Sequence, residues 1–383
     1  MDPETQPTRS HPRTRGLHGS LVILGALLVV VPSAVRGQDP EAPDTVYSVD
    51  PVIVTATRGP RAISETPQPV AVLQARDIER QMPNTIADLF STVPGLDVTG
   101  VGVNQGRPQI RGLRGQRILL LSDGLRLNNT RRQQDFGELP ALVDVSGAAR
   151  VEVVRGPASV LYGSDAIGGV VNVISRLPEE EGLHGNGSIR YGDVGEVGTA
   201  TARAYGRFGR LTLQAGGTFR QAEPYKAPAG SFGDITLDDD VVVQGTGVDD
   251  RTFDARLGFE AGGHSFFGKI DHYGADDSGF GSVDPALYDP TAPEIDLTYP
   301  NQRYNKLTLG YRGQELDFFL ADRFELLAYG QDNERDFNVR LPPFDVPFGP
   351  GVTGNIEAQS LNTTDIRTYG FRVEARKLVA GSA

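Results

Sequence analysis

At 383 residues the chain is long enough for two or three ordinary domains, and its formal charge of −12 excludes a nucleic-acid surface, which needs clustered Lys and Arg. The absence of Cys rules out both a disulfide frame and a thiolate metal site. With 47 Gly, no Trp and a hydrophobic content of 38%, the composition is poor material for one large soluble core.

Arg9, Arg13 and Arg15 precede the apolar run LVILGALLVVVPSAV at residues 21–35. That run is short of the roughly 20 residues a membrane helix needs, and the small residues Ser33, Ala34 and Gly37 close it. Residues 1–37 therefore read as a removed secretory signal, with a retained anchor helix as the other reading. Residues 38–48, rich in Pro and acids, hold too little apolar surface to fold, and residues 38–65 read as a flexible leader. Within it, Asp50, Pro51, Val52, Ile53, Val54, Thr55 and Ala56 form a short extended stretch with no pairing partner nearby in sequence. Such a strand either adds to the sheet edge of another protein or opens the following domain.

Residues 66–176 read as a mixed α/β domain. PVAVLQ is a strand, and NTIADLFSTVPG is a helix with Asn84 as its N-cap and Pro94-Gly95 as its stop. QIRG, RILLLSDGLRL and ARVEVVRG are strands, the middle one folded back at Asp123-Gly124. GELPALVD offers a short helix. In VEVVRGPASVLYGSDAIGGVVNVIS, Pro157 starts a helix, Gly163 ends it, and VVNVIS is the final strand. No chemistry emerges from this stretch. Gly163-Ser164-Asp165 lacks the spacing of a nucleophile elbow and the domain holds no His. GVGVNQG at residues 100–106 lacks the strand-then-helix setting of a phosphate cradle and reads as a surface loop.

From residue 183 the period becomes two. In GTATARAYGRF, Ala200, Ala202, Ala204 and Phe208 share one face, with Thr199, Thr201, Arg203, Tyr205 and Arg207 opposite. The same alternation marks about eight strands, at residues 183–192, 198–208, 210–220, 251–261, 264–274, 303–313, 317–330 and 366–377. Short breaks at residues 209–210, 262–263 and 314–316 alternate with long ones at 221–250, 275–302 and 331–365. All the long connections thus fall at one end of the sheet, as in an outer-membrane barrel, with that end outside the cell.

These stretches resemble the N-terminal part of a TonB-dependent outer-membrane receptor. DPVIVTATR is similar to the TonB box of that family, and IRGLRGQRILLLSDGLRLNN and VEVVRGPASVLYGSDAIGGVVNVIS are similar to its plug signatures, in the same order. The resemblance implies an α+β plug domain at residues 66–176 followed at 177–383 by the first strands of an antiparallel transmembrane β-barrel. A full barrel of this family has about 22 strands, so the chain reads as an incomplete copy; its end, EARKLVAGSA, also lacks a terminal aromatic. The resemblance further implies that Arg111 and Arg155 pair with barrel carboxylates to hold the plug, against an ordinary surface role for each. It implies energised import of a small chelate across the outer membrane, with the box, residues 50–56, engaging the inner-membrane TonB–ExbB–ExbD complex.

Asn104, Gln105, Arg107, Asn128, Asn129, Arg131 and Arg132, on loops 100–109 and 126–137, are the candidate ligand-facing plug residues; solvation is the other reading of the two arginines. The cargo expected from the resemblance is an iron–siderophore chelate, with cobalamin and haem as alternatives. His264 and His272 share strand parity and are candidate haem ligands or plain rim residues, and His184 is the third histidine after the signal. The acidic pairs and triplet at residues 238–240, 249–250 and 276–277 offer oxygens to Ca²⁺, or form a solvated acidic face; no other cofactor or metal is expected. A ligand-sensing signal transducer is the rival reading, although its extra domain before the box would not fit in residues 38–48. A secreted hydrolase has no triad to support it.

Overall fold

The computed structural model describes residues 53–54, 61–63, 66, 68–100, 102–129, 137–233, 235–237, 240–279, 281–283, 295–316 and 321–377. The expected signal, most of the box, and Arg131 and Arg132 lie outside these residues.

The first element corrects an expectation. Strand β1 (Ile53–Val54) has a partner within the chain, pairing antiparallel with β2 (Arg61–Ala62) in the register Ile53↔Ala62 and Val54↔Arg61. Extended backbone groups seek the nearest acceptor, and a stretch seven residues on supplies it. A ladder this short is marginal by itself.

The plug follows. β3 (Val70–Gln74) runs into helix α1 (Ala75–Gln81), which apolar spacing did not reveal because only Ile78 of it is buried. The Asp77 carboxylate caps α1 by accepting from the Gln74 N–H at 3.0 Å. The helix read at residues 84–95 is a 3₁₀ turn, Ile86–Thr92. Its N-cap is Thr85 rather than Asn84, because Asp88 reaches back to both amides, at 3.0 Å from Thr85 and 2.7 Å from Asn84. β4 (Leu96–Thr99) pairs with β5 (Arg107–Ile110). β6 (Ile118–Ser122) turns back into β7 (Leu125–Arg126) through Asp123 and Gly124, whose φ values of 52° and 75° suit the right-handed twist of a two-residue hairpin. β8 (Ala148–Arg155), α2 (Ser159–Tyr162) and β9 (Gly169–Ser175) complete the domain. Its main sheet has the order β3-β8-β9-β6-β7, antiparallel except where β6 lies parallel to β9. The central strands carry apolar residues on both faces because both are covered: Ile118, Leu120, Val151, Val153 and Val171 join one cluster, Leu119, Leu121, Val154 and Val170 another.

The second sheet, the wall, has eight strands in sequence order: β10 (Gly182–Gly192), β11 (Val197–Phe208), β12 (Leu211–Ala222), β17 (Val248–Ala261), β18 (His264–Gly279), β19 (Asp296–Gly313), β20 (Arg323–Gly349) and β21 (Val352–Arg376). Four strands of two or three residues, β13 (Lys226–Ala227), β14 (Gly230–Phe232), β15 (Ile235–Leu237) and β16 (Val241–Val242), decorate the connection from β12 to β17. Each long strand pairs antiparallel with its sequence neighbour, and among the described residues β10 and β21 do not pair with each other. The wall is an open arc.

Its side chains alternate in a sense opposite to that of a soluble sheet. Ile189, Phe219, Leu257, Leu309, Phe371 and Val373 are exposed on the outward face, while Arg203, Gln214, Arg220, Asp254, Lys269 and Gln331 are buried on the inward one. An apolar exterior around a polar interior is what a strand facing lipid requires.

The expected long loop at 331–365 is instead hairpin. β20 and β21 stay paired up to Gly349↔Val352, with register shifts between Leu341 and Phe344 and between Pro347 and Gly349. Pro342 and Pro343, which lack backbone donors, fall within the first of these shifts. At about 3.3 Å per residue, the 27 residues of β20 span roughly 80–90 Å, several times the roughly 9–11 residues of a membrane strand.

Among the described residues plug and wall share no strand pairing, yet residues 51–383 pack as a single unit. Ala222, Val248, Tyr273, Ala275 and Tyr304 of the wall belong to the same buried cluster as the plug core. Leu119→Asp, which places a charge among fully buried neighbours in β6, is expected to cost roughly 3–5 kcal/mol. In detergent solution this reads as a lowered plug melting transition and early proteolysis of residues 66–176, with the wall strands retained.

Candidate functional site

The wall's inward side chains meet the plug at a buried polar interface built from four anchors. The most connected is Asp144, in the loop before β8. One carboxylate oxygen accepts from Arg203 Nη2 of β11 at 2.9 Å, Thr218 Oγ1 of β12 at 2.8 Å and Thr252 Oγ1 of β17 at 3.0 Å. The other accepts from the Ser146 backbone N–H at 2.8 Å. One plug side chain thus ties three wall strands. Arg203 bridges on to Asp254 at 2.6 Å and donates to Ser146 Oγ at 2.9 Å. Two glycines make room for its guanidinium: a Cβ on Gly147 or on Gly216 would fall within 2.5–2.9 Å of it.

The second anchor is Asp123, at the β6–β7 turn, which accepts from Lys269 Nζ of β18 at 2.8 Å and from the Ser175 N–H and Oγ, each at 2.8 Å. Glu138 is the third; it accepts from Arg335 of β20 and, at 3.3 Å, from Gln302 of β19. Asn104 is the fourth. Its amide donates to Tyr273 Oη at 2.6 Å and Asp250 at 3.2 Å, and its oxygen accepts from Arg220, which also pairs with Asp250. Two wall arginines reach plug backbone as well: Arg220 donates to the Asn84 carbonyl at 2.8 Å, and Arg190 to the Met82 carbonyl and the Asn84 side chain.

The charge pattern is consistent: at these anchors the plug supplies carboxylates and an amide, and the wall supplies the cations. Burial acts to raise the carboxyls of Asp123 and Asp144, but the adjacent Lys269 and Arg203 charges, with the Ser175 and Ser146 donors, outweigh it and hold both below the usual carboxylate range.

The sequence-predicted residues fall differently. Asn104 and Gln105 are not on an open loop but buried, and Asn104 is spent on the wall contact. Arg107 lies in β5, half-buried. Asn128 is buried because its side chain satisfies the plug's own backbone, accepting from the Leu120 N–H at 2.9 Å and donating to the Ile118 carbonyl at 3.0 Å. Asn129 is half-buried and offers its carbonyl to Gln116. Arg111 is exposed, with φ 50° at the first position of a tight turn that bridges Ile110 to Leu113. Arg155 donates to the Pro94 carbonyl at 2.8 Å. Among the described residues neither arginine meets a wall carboxylate.

His264 and His272 share the strand parity of the outward residues Phe266 and Ile270, and they bond Tyr311 Oη at 2.9 Å and Asn305 Oδ1 at 2.7 Å. His184 bonds the Glu181 carbonyl at 3.0 Å. Asp249 and Asp276 sit opposite each other across β17 and β18, Asp276 pairs with Arg251 at 3.3 Å, and Asp240 accepts from the Ala229 N–H at 3.1 Å. No three carboxylates converge on one point among the described residues.

Sequence reasoning missed Asp123, Glu138 and Asp144 as anchors, along with their partners Lys269, Arg335 and Arg203. One signal was available: a lone Arg or Lys on the polar parity of a strand whose neighbours are Ala, Gly and Thr, as in TARAYG.

A plug inside a sheet of inverted polarity, held by charge pairs, matches one known architecture. The TonB-dependent receptor plug-domain family matches residues 62–170. The chain carries the plug of a TonB-dependent receptor. Its relatives include the vitamin B12 transporter BtuB of Vibrio vulnificus, 33% identical over 213 residues, or 54% of this chain and 32% of that protein. The hemin receptor of Yersinia pestis is 37% identical over 151 residues, 38% of this chain and 22% of that protein. Among solved structures, the siderophore receptor PirA of Acinetobacter baumannii matches with a TM-score of 0.57 at 21% identity, covering 82% of this chain and 46% of that one. The chain therefore spans less than half the length of these relatives, and the wall corresponds to part of a TonB-dependent receptor barrel. None of the described helices is long and apolar enough to cross a membrane, which says nothing of strands.

Because Asp123 and Asp144 titrate lower in the fold than in the unfolded chain, where carboxyls titrate near about 4, their stabilisation is complete above that value. It is lost as pH falls through their folded-state values. Acid is thus expected to loosen the plug, read as protease access to β8 rising below about pH 3–4. Asp144→Asn should cost about 1–3 kcal/mol at pH 7, because Arg203 keeps Asp254, and should flatten that acid dependence.

Proposed function

We propose that this chain is the plug-and-wall portion of an outer-membrane transporter that imports a scarce small ligand, an iron–siderophore chelate, under the drive of the inner-membrane TonB complex. The observation that carries the reading is the interface itself. Beyond the chain segment that leads from β9 into β10, plug and wall are joined among the described residues by side-chain hydrogen bonds, ion pairs and packing, so the plug can shift without any covalent change. Such a device needs no catalytic constellation, which fits a receptor rather than an enzyme.

The box at residues 50–56 is the coupling element in this reading. Its described part, β1, is held by two residue pairs alone, a ladder weak enough to exchange for a strand of the TonB partner. Arg111 and Arg155 remain candidates for contact with barrel carboxylates beyond the eight wall strands. Arg111 is exposed and displayed on a tight turn, which suits that role.

A second cargo, cobalamin, is favoured by one observation: the BtuB relative is similar over more of this chain than the hemin receptor is. Haem draws less support, since His264 and His272 lie on the outward face.

The test is uptake of radiolabelled ferric siderophore and of labelled cobalamin by cells expressing the complete gene, with and without TonB. Val54→Pro removes a main-chain donor from the box strand. It should abolish uptake while leaving surface binding of the ligand intact and shifting the melting temperature by less than about 2 °C, because so short a ladder contributes little. Normal TonB-driven uptake by this variant would refute the coupling role; a loss of plug stability would make β1 simply the domain's first strand.

A further inference from the structure

We infer that the short-turn end of the plug–wall interface holds an anion-binding chamber, which would take a small soluble ligand bearing several carboxylate or phosphate oxygens. A cavity of about 380 Å³ opens there between the β6–β7 turn of the plug and the inward faces of β17 to β21. Seven basic and three acidic side chains line it, an excess of positive charge within a chain whose overall balance is −12.

The basic groups differ in what they are already doing. Lys269 is taken by Asp123 and Asp271, at 2.8 Å and 3.0 Å. Arg312 and Arg372 share the single carboxylate of Glu325, Arg312 at 2.6 Å. Arg256 has neither an ion pair nor a hydrogen bond among the described residues. It is half-buried, with its guanidinium 3.7 Å from the centroid of the Phe267 ring. Arg312 lies against the same ring at 5.7 Å. Two guanidiniums gathered on one aromatic, with one carboxylate divided between Arg312 and Arg372 and none for Arg256, leave donors unused and repel one another. A bound oxyanion relieves both costs at once, and the planar forks of arginine match carboxylate and phosphate oxygens.

The apolar side of the chamber, Leu125, Phe267 and Leu327, forms a small buried cluster of its own, so a ligand with an organic body as well as negative oxygens is accommodated. The volume is that of a small-molecule site and too small for acyl chains, so the occupant is a soluble anion rather than a whole lipid.

This inference deepens the proposed transport function and rests on it for its meaning: the chamber would be a station for anionic cargo at the inner end of its path. The binding itself can be tested without transport. Isothermal titration of the full chain in detergent micelles at low salt, with citrate and with pyrophosphate as probes and sucrose as a neutral control, is the experiment. Both anions should bind and sucrose should not. Arg256→Gln should weaken anion binding about tenfold or more, as loss of a charge-assisted contact does, and Arg256→Lys, which keeps the charge but not the planar fork, should bind with an affinity between the two. Equal affinity in Arg256→Gln, binding of sucrose as strong as that of citrate, or no anion binding by the wild-type chain would each overturn the chamber. Because no TonB is present, a failed uptake experiment would leave this result standing, and a failed titration would leave TonB-driven uptake standing.

Discussion

A sheet that turns its apolar face outward must put its polar side chains inward, and whatever fills the interior must answer them. Everything else in this molecule follows from that inversion. Arg203, Arg220, Lys269 and Arg335 could not remain buried on the inner face of the wall without counter-charges. Asp144, Asp250, Asp123 and Glu138 supply them, three of these four from the plug. The plug is therefore a solid electrostatic complement to the wall as well as an obstruction. Its own hydrophobic core, centred on β6, β8 and β9, provides the rigid frame that holds those carboxylates in place.

The polar nature of the contact also explains how the interface can be specific. Replacing buried ion pairs by apolar side chains of similar size is often neutral or stabilising, so pairing of this kind is a poor way to gain stability alone. It is a good way to define a unique seating, since a plug displaced by one residue along a strand would face the wrong parity of side chains. A dry apolar joint would hold whatever the register; a joint made of matched donors and acceptors holds in one arrangement.

The sequence made the architecture legible where periodicity was strong. Each of the eight wall strands overlaps a stretch that the pattern marked, and the turn at Asp123-Gly124 and the strand VVNVIS appear where it put them. It was misleading where polar residues occupy both faces of a paired strand: β20 and β21 continue through Asn, Asp, Glu and Arg with no apolar rhythm, held by backbone pairing that composition does not reveal. Helix α1 escaped because a single buried isoleucine gives no helical stripe. The site was harder still. Asn104 and Asn128 are polar residues between strands, which is equally the appearance of an exposed loop and of a buried hydrogen-bonding hub. Only the positions of Tyr273, Arg220 and the β6 backbone distinguish the two. Asp144 is one acid among many in the chain until three wall strands are seen to converge on it.

That convergence has a mechanical meaning. A carboxylate oxygen that accepts from β11, β12 and β17 together loads three bonds in parallel. A displacement of about 1 Å away from the wall takes the two threonine contacts beyond hydrogen-bonding distance together and strains the third. Contacts arranged in series would unzip gradually under a pull; this one should resist and then fail as a unit, like a brittle latch. A plug seated on such latches would not creep under small forces, and its movement would have a threshold.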